Sequence, residues 1–300
     1  MNKIFVVGSI NVDYCVEVEN FLKAGETVLS KNFKINYGGK GANQAYNASM
    51  LGSDVTFVSR VGNDSLGKEI LNYFQKNNLN TSCIAISDKN TGSAFITLNK
   101  DFENQIIIVP GANEDVSEKD IENSLEFLKK SDIVILQNEI NINTIKYVIE
   151  KAYEMKKYIA YNLAPARIIE EKYFKMIDCL IVNETELEFL AINIFNEKNI
   201  NDYDYIAKKL IEIGVKSVIL TLGANGSKYI DKKNNIYVES KKVNVVDTTG
   251  AGDTFVGAFY TKFDLNKLNY KDALEYATEA ASIAVSYKGA QVKEVGALKC

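Results

Sequence analysis

The segment Asp247-Thr-Thr-Gly-Ala-Gly-Asp253-Thr-Phe-Val-Gly257 sets two glycines and an aspartate where an apolar, helix-spaced run begins. Phe255, Val256 and Phe259 recur on one face of that run. The first N–H groups of a helix lack intrahelical partners, and the macrodipole adds about half a positive charge there. Such a terminus receives anions, and glycine lets an anion reach the backbone without meeting a Cβ. A carboxylate in the same first turn, Asp253, can take a proton beside the place where negative charge gathers. Anion receptor and proton acceptor together describe phosphoryl transfer to a hydroxyl. A plain helix start with an acidic first turn and two turn glycines accounts for the same residues, so the rest of the chain has to decide.

No histidine occurs among the 300 residues. That excludes a Ser-His-Asp triad, a Cys-His pair and imidazole-ligated zinc. A general base must be a carboxylate, a lysine, a tyrosine or a thiolate, which strengthens Asp253 by elimination. A second glycine-rich turn, Gly38-Gly-Lys-Gly41-Ala-Asn43-Gln44-Ala45, lies between a strand-like and a helical run. Three glycines in four residues are costly unless backbone must approach a ligand closely; a tight strand-to-helix turn is the alternative. Lys40 adds charge there, and Asn43 adds a donor and an acceptor. Gly62-Asn-Asp-Ser-Leu-Gly67-Lys68-Glu69 nearly matches a phosphate-binding G-x-x-x-x-G-K-[ST] loop. Glu69 replaces the hydroxyl that would hold Mg2+ and Asp64 would face phosphate, so it reads as an ordinary strand-to-helix turn.

The elements that must position these residues alternate. Ile4–Val7, Val55–Ser59, Ile133–Leu136, Ile159–Asn162, Leu180–Val182 and Val218–Thr221 are short, β-branched-rich runs suited to buried parallel strands. Between them lie helix-period segments, Leu66–Asn77, Glu118–Lys130, Thr144–Lys156 and Tyr203–Ile213, with Ser117 a plausible cap for the second. This predicts an α/β fold whose mostly parallel central sheet carries helices on both faces. Two regions break the rhythm. Val12, Tyr14, Val16 and Val18 alternate with polar residues, as do Phe33, Ile35 and Tyr37, while Ala94–Leu98 and Gln105–Val109 flank a hairpin-like connection. Period-two strands of this kind predict a small β-sheet lid built from insertions 12–37 and 91–109. Residues 1–11, 38–90 and 110–300 then make the main α/β domain, and an edge strand of the lid wants a partner, so a homodimer through it is expected.

Composition bounds the rest. A 46% hydrophobic chain of this length supports one large core, and the net charge of −4 with no basic run argues against nucleic acid. No apolar stretch reaches ~18 residues, so no membrane span is expected, and no signal peptide precedes Ile4–Val7, which reads as cytoplasmic. Cys15, Cys83, Cys179 and Cys300 show no close spacing and read as free thiols.

Taken in order, Gly8-Ser-Ile-Asn11-Val-Asp13, Gly38-Gly-Lys-Gly-Ala-Asn-Gln-Ala45, Asn183-Glu-Thr-Glu186, Thr221-Leu-Gly-Ala-Asn-Gly226, Asp247-Thr-Thr-Gly-Ala-Gly-Asp-Thr-Phe255 and Lys288-Gly-Ala-Gln291 span nearly the whole chain. As a set they resemble the ribokinase family of PfkB-type carbohydrate kinases. The Asn11/Asp13 pair with the glycine–lysine turn resembles its ribose-phosphorylating members rather than the family at large.

The resemblance implies that Asp253 takes the proton of a sugar's primary hydroxyl and that the N–H groups of Gly250, Ala251 and Gly252 form an anion hole. It implies sugar contacts at Asn11, Asp13, Gly39, Lys40, Gly41, Asn43 and Glu139. It implies ATP contacts at Asn183, Thr221, Gly223, Ala224, Asn225, Gly226, Gly252 and Thr278, with Asn183 and Glu186 organising Mg2+ through water. A K+ site is implied at Asp247, Thr249, Ala284, Tyr287 and Gly289. Without the resemblance, Asn183–Glu186 is an acidic helix start, Thr221–Gly226 a hairpin turn and Glu139 an exposed strand end. Two positions depart from the family pattern: Val292-Lys293 stands where a Pro-Ser-like continuation is usual, removing one expected K+ ligand, and Leu163 stands where proline is common. The implied activity is ATP-dependent phosphorylation of D-ribose on its 5-hydroxyl. Deoxyribose, a ketohexose or a nucleoside are alternative acceptors, and a non-catalytic sugar- or nucleotide-sensing protein is the alternative of another class.

Overall fold

The computed structural model describes residues 2–291 apart from Phe102, Asn199, Asn201 and Lys288. Thirteen strands are described: β1 (Lys3–Val7), β2 (Asn11–Glu17), β3 (Asn32–Gly38), β4 (Asp54–Gly62), β5 (Ile84–Ser87), β6 (Gly92–Leu98), β7 (Asn104–Val109), β8 (Ile133–Leu136), β9 (Tyr158–Asn162), β10 (Cys179–Asn183), β11 (Ser217–Thr221), β12 (Ser227–Asp231) and β13 (Asn235–Val238). The helices are α1 (Lys40–Met50), α2 (Ser65–Lys76), α3 (Glu118–Asn123), α4 (Leu125–Lys130), α5 (Ile142–Glu154), α6 (Glu171–Phe174), α7 (Glu184–Phe195), α8 (Tyr203–Glu212), α9 (Ala251–Lys262) and α10 (Tyr270–Ala284).

The apolar runs pair as buried strands must. The large sheet has the order β13-β12-β11-β10-β9-β8-β1-β4-β5, parallel from β5 to β11 and antiparallel at the β12–β13 edge. Alternate residues of each strand feed opposite faces. Phe5, Val7, Val134 and Leu136 pack under α3 to α8, while Ile4, Val6, Ile133 and Ile135 pack under α1, α2, α9 and α10. From β1 the chain builds outward to β4 and β5, then returns to β8 and builds the other way. Strand order therefore reverses between β1 and β8, the point at which open α/β sheets hold ligands beyond their strand ends.

A second, four-stranded sheet stands apart in the order β3-β2-β6-β7. Only its central β2–β6 pairing is parallel. Its register aligns Tyr14 with Ile35 and Phe95, and Phe95 with Ile107, so one face is apolar across all four strands. Asp13 projects to the opposite face, beside Asn36 and Ala94.

The helix expected over Glu118–Lys130 is two helices. Ser117 and Asp120 form a reciprocal capping box at its start, but Ser124 turns out of helical geometry (φ −106°, ψ 10°) and splits the segment. Cys15, Cys83 and Cys179 are free thiols, and Cys300 lies outside the described residues. Among the described residues no helix is long and apolar enough to cross a membrane.

Candidate active site

Gly250, at the start of α9, adopts the left-handed region (φ 73°, ψ 5°) and offers no side-chain cap. Its backbone also meets Ala290 so closely that a Cβ would lie 2.3 Å from that residue's own. Glycine is thus required twice over at one position. Gly252 differs: it is exposed, with nothing within 4 Å of where a Cβ would stand. Of the three amides expected to form an anion hole, that of Ala251 is already donated to the Thr248 carbonyl (3.3 Å), because the turn closes on itself there. The amides of Gly250 and Gly252 make no hydrogen bond among the described residues, and the space beside Gly252 is open.

One turn further in, Asp253 is buried, 7% exposed. Both carboxylate oxygens accept from amides of α1: Oδ2 from Asn43 Nδ2 (3.1 Å) and Oδ1 from Gln44 Nε2 (2.9 Å). Burial raises its pKa above the usual value, Glu139 adds to the rise, and Lys40 with the two amide donors opposes it. A carboxylate so placed is a better proton acceptor than a solvated one, provided a hydroxyl reaches its remaining lone pairs. The contact between α1 and α9 is close because Gly257 lacks a side chain, its Cβ position lying 2.9 Å from the Ala48 nitrogen.

The turn ahead of α1 is built differently. Gly39 (φ 90°) would place a Cβ 2.8 Å from the Asn11 nitrogen, and Gly41 would place one 2.6 Å from the Gly8 carbonyl carbon. Gly38 makes room for the carboxylate of Asp13, 2.3 Å from its Cβ position. The close approach inferred from these three glycines is therefore an approach to the protein's own chain. Ala42 N–H bonds the Ser9 carbonyl (2.9 Å), locking the turn onto the segment after β1. Glu139, beyond β8, caps this helix from across the switch point: its Oε2 accepts from the Lys40 N–H (3.0 Å) and from Ser9 Oγ (2.5 Å).

Lys40 stands within electrostatic influence of four carboxylates, Asp253, Glu139, Glu186 and Asp13. Burial, the largest single influence, pulls its pKa down, but Asp253, Glu139, Glu186 and Asp13 outweigh it and the net shift is upward. Asp13 is pushed up to about 7, first by burial, then by Glu139 and Asp253, with Lys40 pulling back. Asn11, 3% exposed, spends its oxygen on Asn113 Nδ2 (2.8 Å), which leaves its NH2 without a partner among the described residues. Asn11, Asp13, Gly39, Lys40, Gly41, Asn43 and Glu139 thus gather at one place, dense in groups that match hydroxyls as donors and acceptors.

The residues expected around nucleotide and metal lie at the starts of α7 and α9, at the end of β11 and the turn after it, and along and just after α10. Asn183 and Glu186 form a capping box at α7, Asn183 Oδ1 accepting from Glu186 N (2.8 Å) and Glu186 Oε2 from Asn183 N (2.9 Å). Burial raises the pKa of Glu186, its bond to Asn183 N–H and Lys40 lower it, and Asp253 raises it again. The β11–β12 connection holds Thr221, Gly223, Ala224, Asn225 and Gly226. Gly226 (φ 99°) sits so close to β13 that a Cβ would stand 2.0 Å from the Val238 carbonyl, whereas Gly223 faces open space. Thr278 is buried, its hydroxyl shared with Ser227 Oγ (2.7 Å) and the Leu274 carbonyl (2.8 Å), so it has little left for a base edge. Asp247 ties two loops, accepting from Thr249 N (2.9 Å) and Gly289 N (3.0 Å). Ala284's carbonyl accepts from Tyr287 N (3.2 Å) and Tyr287 is half-exposed. Lys288 and the Val292-Lys293 departure lie outside the described residues.

Gln44, Gln137, Asn162 and Gln291 were missed as site residues by sequence reasoning. Gln44 and Gln291 stand inside quoted motifs, and Gln137 and Asn162 are polar residues ending apolar strands, a signal that was available. The P-loop-like segment is the turn it was read as: Asp64 caps α2 through Gly67 N–H (2.7 Å) and also accepts from Thr91 N (2.7 Å), filling the place a phosphate would take.

A family model for pfkB family carbohydrate kinases matches residues 1–295. The chain belongs to the pfkB family of carbohydrate kinases. It is 36% identical over 293 residues to a ribokinase of Staphylococcus aureus, covering 97% of this chain and 95% of that one. A deoxyribokinase of Salmonella typhi is 33% identical over 293 residues, covering 96% and 94%. The structure of an Arabidopsis thaliana ribokinase complexed with ribose and ATP superposes with a TM-score of 0.84 at 32% identity, covering 96% and 94%. As a carbohydrate kinase of this family, the chain needs a polyhydroxyl cradle, a proton acceptor and an open receptor for phosphate charge. Groups of all three kinds meet between β1, β8, α1 and α9.

Proposed function

We propose that this chain phosphorylates D-ribose on its 5-hydroxyl with ATP as donor, Asp253 taking the hydroxyl proton. The observation that carries the reading is the pairing of a buried carboxylate with uncommitted amides at Gly250 and Gly252 in one helix turn. Asn11, Asp13, Lys40, Asn43 and Glu139 supply sugar contacts. The loop Thr221–Gly226, with Asn183 and Gly252, receives the nucleotide, and Thr278, its hydroxyl already spent on Ser227 and Leu274, packs nearby without bonding a base edge. The relatives named ribokinase, and the one carrying ribose and ATP, support this choice of substrates.

Among the described residues no three carboxylates or thiols converge on a metal-holding site. Glu186 keeps one carboxylate oxygen free of its cap, and a hard oxygen suits Mg2+ held through water alongside nucleotide phosphates. Such an ion would neutralise phosphate charge. K+ bound by Asp247 with oxygens of Thr249, Ala284, Tyr287 and Gly289 would steady the turn behind Gly250; comparing turnover in K+ and Li+ tests it.

Residues 12–37 and 91–109 act as a lid that excludes water, a competing phosphoryl acceptor. The exposed apolar face of this sheet, with Phe33, Ile35, Phe95 and Ile107 each about half exposed or more, supports a homodimer through the lid, checked by sedimentation. Deoxyribose is the second reading, favoured by the deoxyribokinase relative. The test is ATP turnover with ribose, deoxyribose, fructose and adenosine. Ribose-dependent ADP release with the highest kcat/KM is expected, and its absence from folded protein overturns the assignment.

A further inference from the structure

Asp253 is held from behind by an ordered file of amides. Gln44 is fully buried, and its Nε2 donates both to Asp253 Oδ1 (2.9 Å) and to Asn162 Oδ1 (3.0 Å). Asn162 in turn donates its Nδ2 to the Ile181 carbonyl (3.2 Å). A backbone carbonyl only accepts, and so does an ionised carboxylate. The direction of the Gln44 amide is therefore fixed at both contacts, NH2 toward Asp253 and Asn162, oxygen away. That oxygen accepts from Gln137 Nε2 (2.7 Å). The file then ends: Gln137 Oε1 is buried with no hydrogen-bond partner among the described residues. Gly8 leaves it room, since a Cβ there would lie 2.0 Å from that oxygen.

A buried acceptor without a donor is costly and uncommon, and it calls for a cause. Turning the Gln137 amide over would set its oxygen against that of Gln44. Turning both would set an amide oxygen against the Asp253 carboxylate. The orphan at the far end is thus what remains when the Gln44 amide is turned to donate to Asp253 and Gln137 donates to the oxygen it leaves behind. We propose that Gln44, backed by Gln137, is a positioning residue that keeps Asp253 ionised and its free lone pairs directed at the acceptor hydroxyl. This rests on Asp253 being the base. The other groups facing that carboxylate are Asn43 and Lys40 from α1 and Glu139 from beyond β8, with Asp13 and Glu186 around the same lysine.

The test is the pH dependence of kcat at saturating sugar and nucleotide, where titration of Asp13 in the free enzyme does not enter. In Gln44→Leu we expect kcat to fall about 10–100-fold with sugar KM changed less than about 3-fold, and the acid limb to move up by about one pH unit. In Gln137→Leu the same shift appears at smaller size, with kcat down about 3–10-fold. Should Gln44→Leu fail to fold, Gln137→Leu carries the test. An unmoved acid limb in folded variants, or a loss confined to KM, overturns the proposal. Asp253→Asn, measured alongside, separates the two claims. Wild-type turnover there removes the base itself, whereas an inactive Asp253→Asn with unshifted amide variants removes only the positioning role.

Discussion

Two helices begin at glycines within the same site, and their N-termini are used in opposite ways. At α1 the glycines press against the chain after β1, and the first N–H group is taken by the Glu139 carboxylate. In the first turn of α9 Gly250 presses against Ala290, while Gly252 faces open space and its N–H group makes no hydrogen bond among the described residues. The two sequences look alike, yet at α1 a carboxylate from another segment takes the first N–H group, whereas the carboxylate in the first turn of α9, Asp253, is turned toward the amides of α1. The difference teaches that a glycine-rich helix start marks a ligand site only where the fold leaves its amides unclaimed. At α1 the same device fixes the direction in which Lys40, Asn43 and Gln44 point.

The largest effect expected from breaking this contrast comes at Asp253. Asp253→Asn should lower kcat by about 10²–10⁴-fold while sugar affinity, measured by calorimetry, stays nearly unchanged. Next come paired glycine substitutions. Gly252→Ala meets open space and gains helix propensity, so its melting temperature should hold or rise, while the methyl group obstructs the incoming phosphate and lowers kcat about 10–100-fold. Gly41→Ala drives a Cβ into the Gly8–Ser9 backbone and should destabilise the fold by about 1–3 kcal/mol, read in a thermal melt. Equal behaviour of the two variants would erase the distinction.

How far the sequence shows this depends on distance along the chain. The parallel strands were legible because Ile133–Leu136 and its neighbours are uninterrupted apolar runs, and the small sheet because Val12, Tyr14 and Val16 alternate. The reach of the glycine turn was not, since only the fold brings Gly8 and Asn11 against Gly39 and Gly41. Gln44 and Asn162 are 118 residues apart, and Asn43 and Asp253 are 210 apart. No local pattern encodes such pairs. The break at Ser124 escaped because apolar periodicity continues through it from Ile121 to Leu128.

Smaller effects sharpen the comparison at α1. Asp13, raised to about 7 against an ordinary 3.8, keeps its proton in the folded state across that interval. Stability without ligand should therefore fall as pH rises from about 4 to 7, because the folded chain binds the extra proton. Sugar affinity should rise over the upper part of that window, because the ionised carboxylate accepts hydroxyl protons more strongly; titration calorimetry between about pH 6 and 8 reads the trend. The smallest effect belongs to the built-in cap. Glu139→Ala should cost about 0.5–2 kcal/mol of stability, whereas Glu139→Gln, which retains an acceptor for the Lys40 N–H, should cost less.

The most direct measurement is a crystal structure with ribose and a non-hydrolysable ATP analogue. The expected result places the 5-hydroxyl oxygen within about 3 Å of an Asp253 oxygen, with the terminal phosphate against the Gly252 amide. A sugar whose primary hydroxyl points away from Asp253, or a phosphate held elsewhere than the start of α9, would contradict the account.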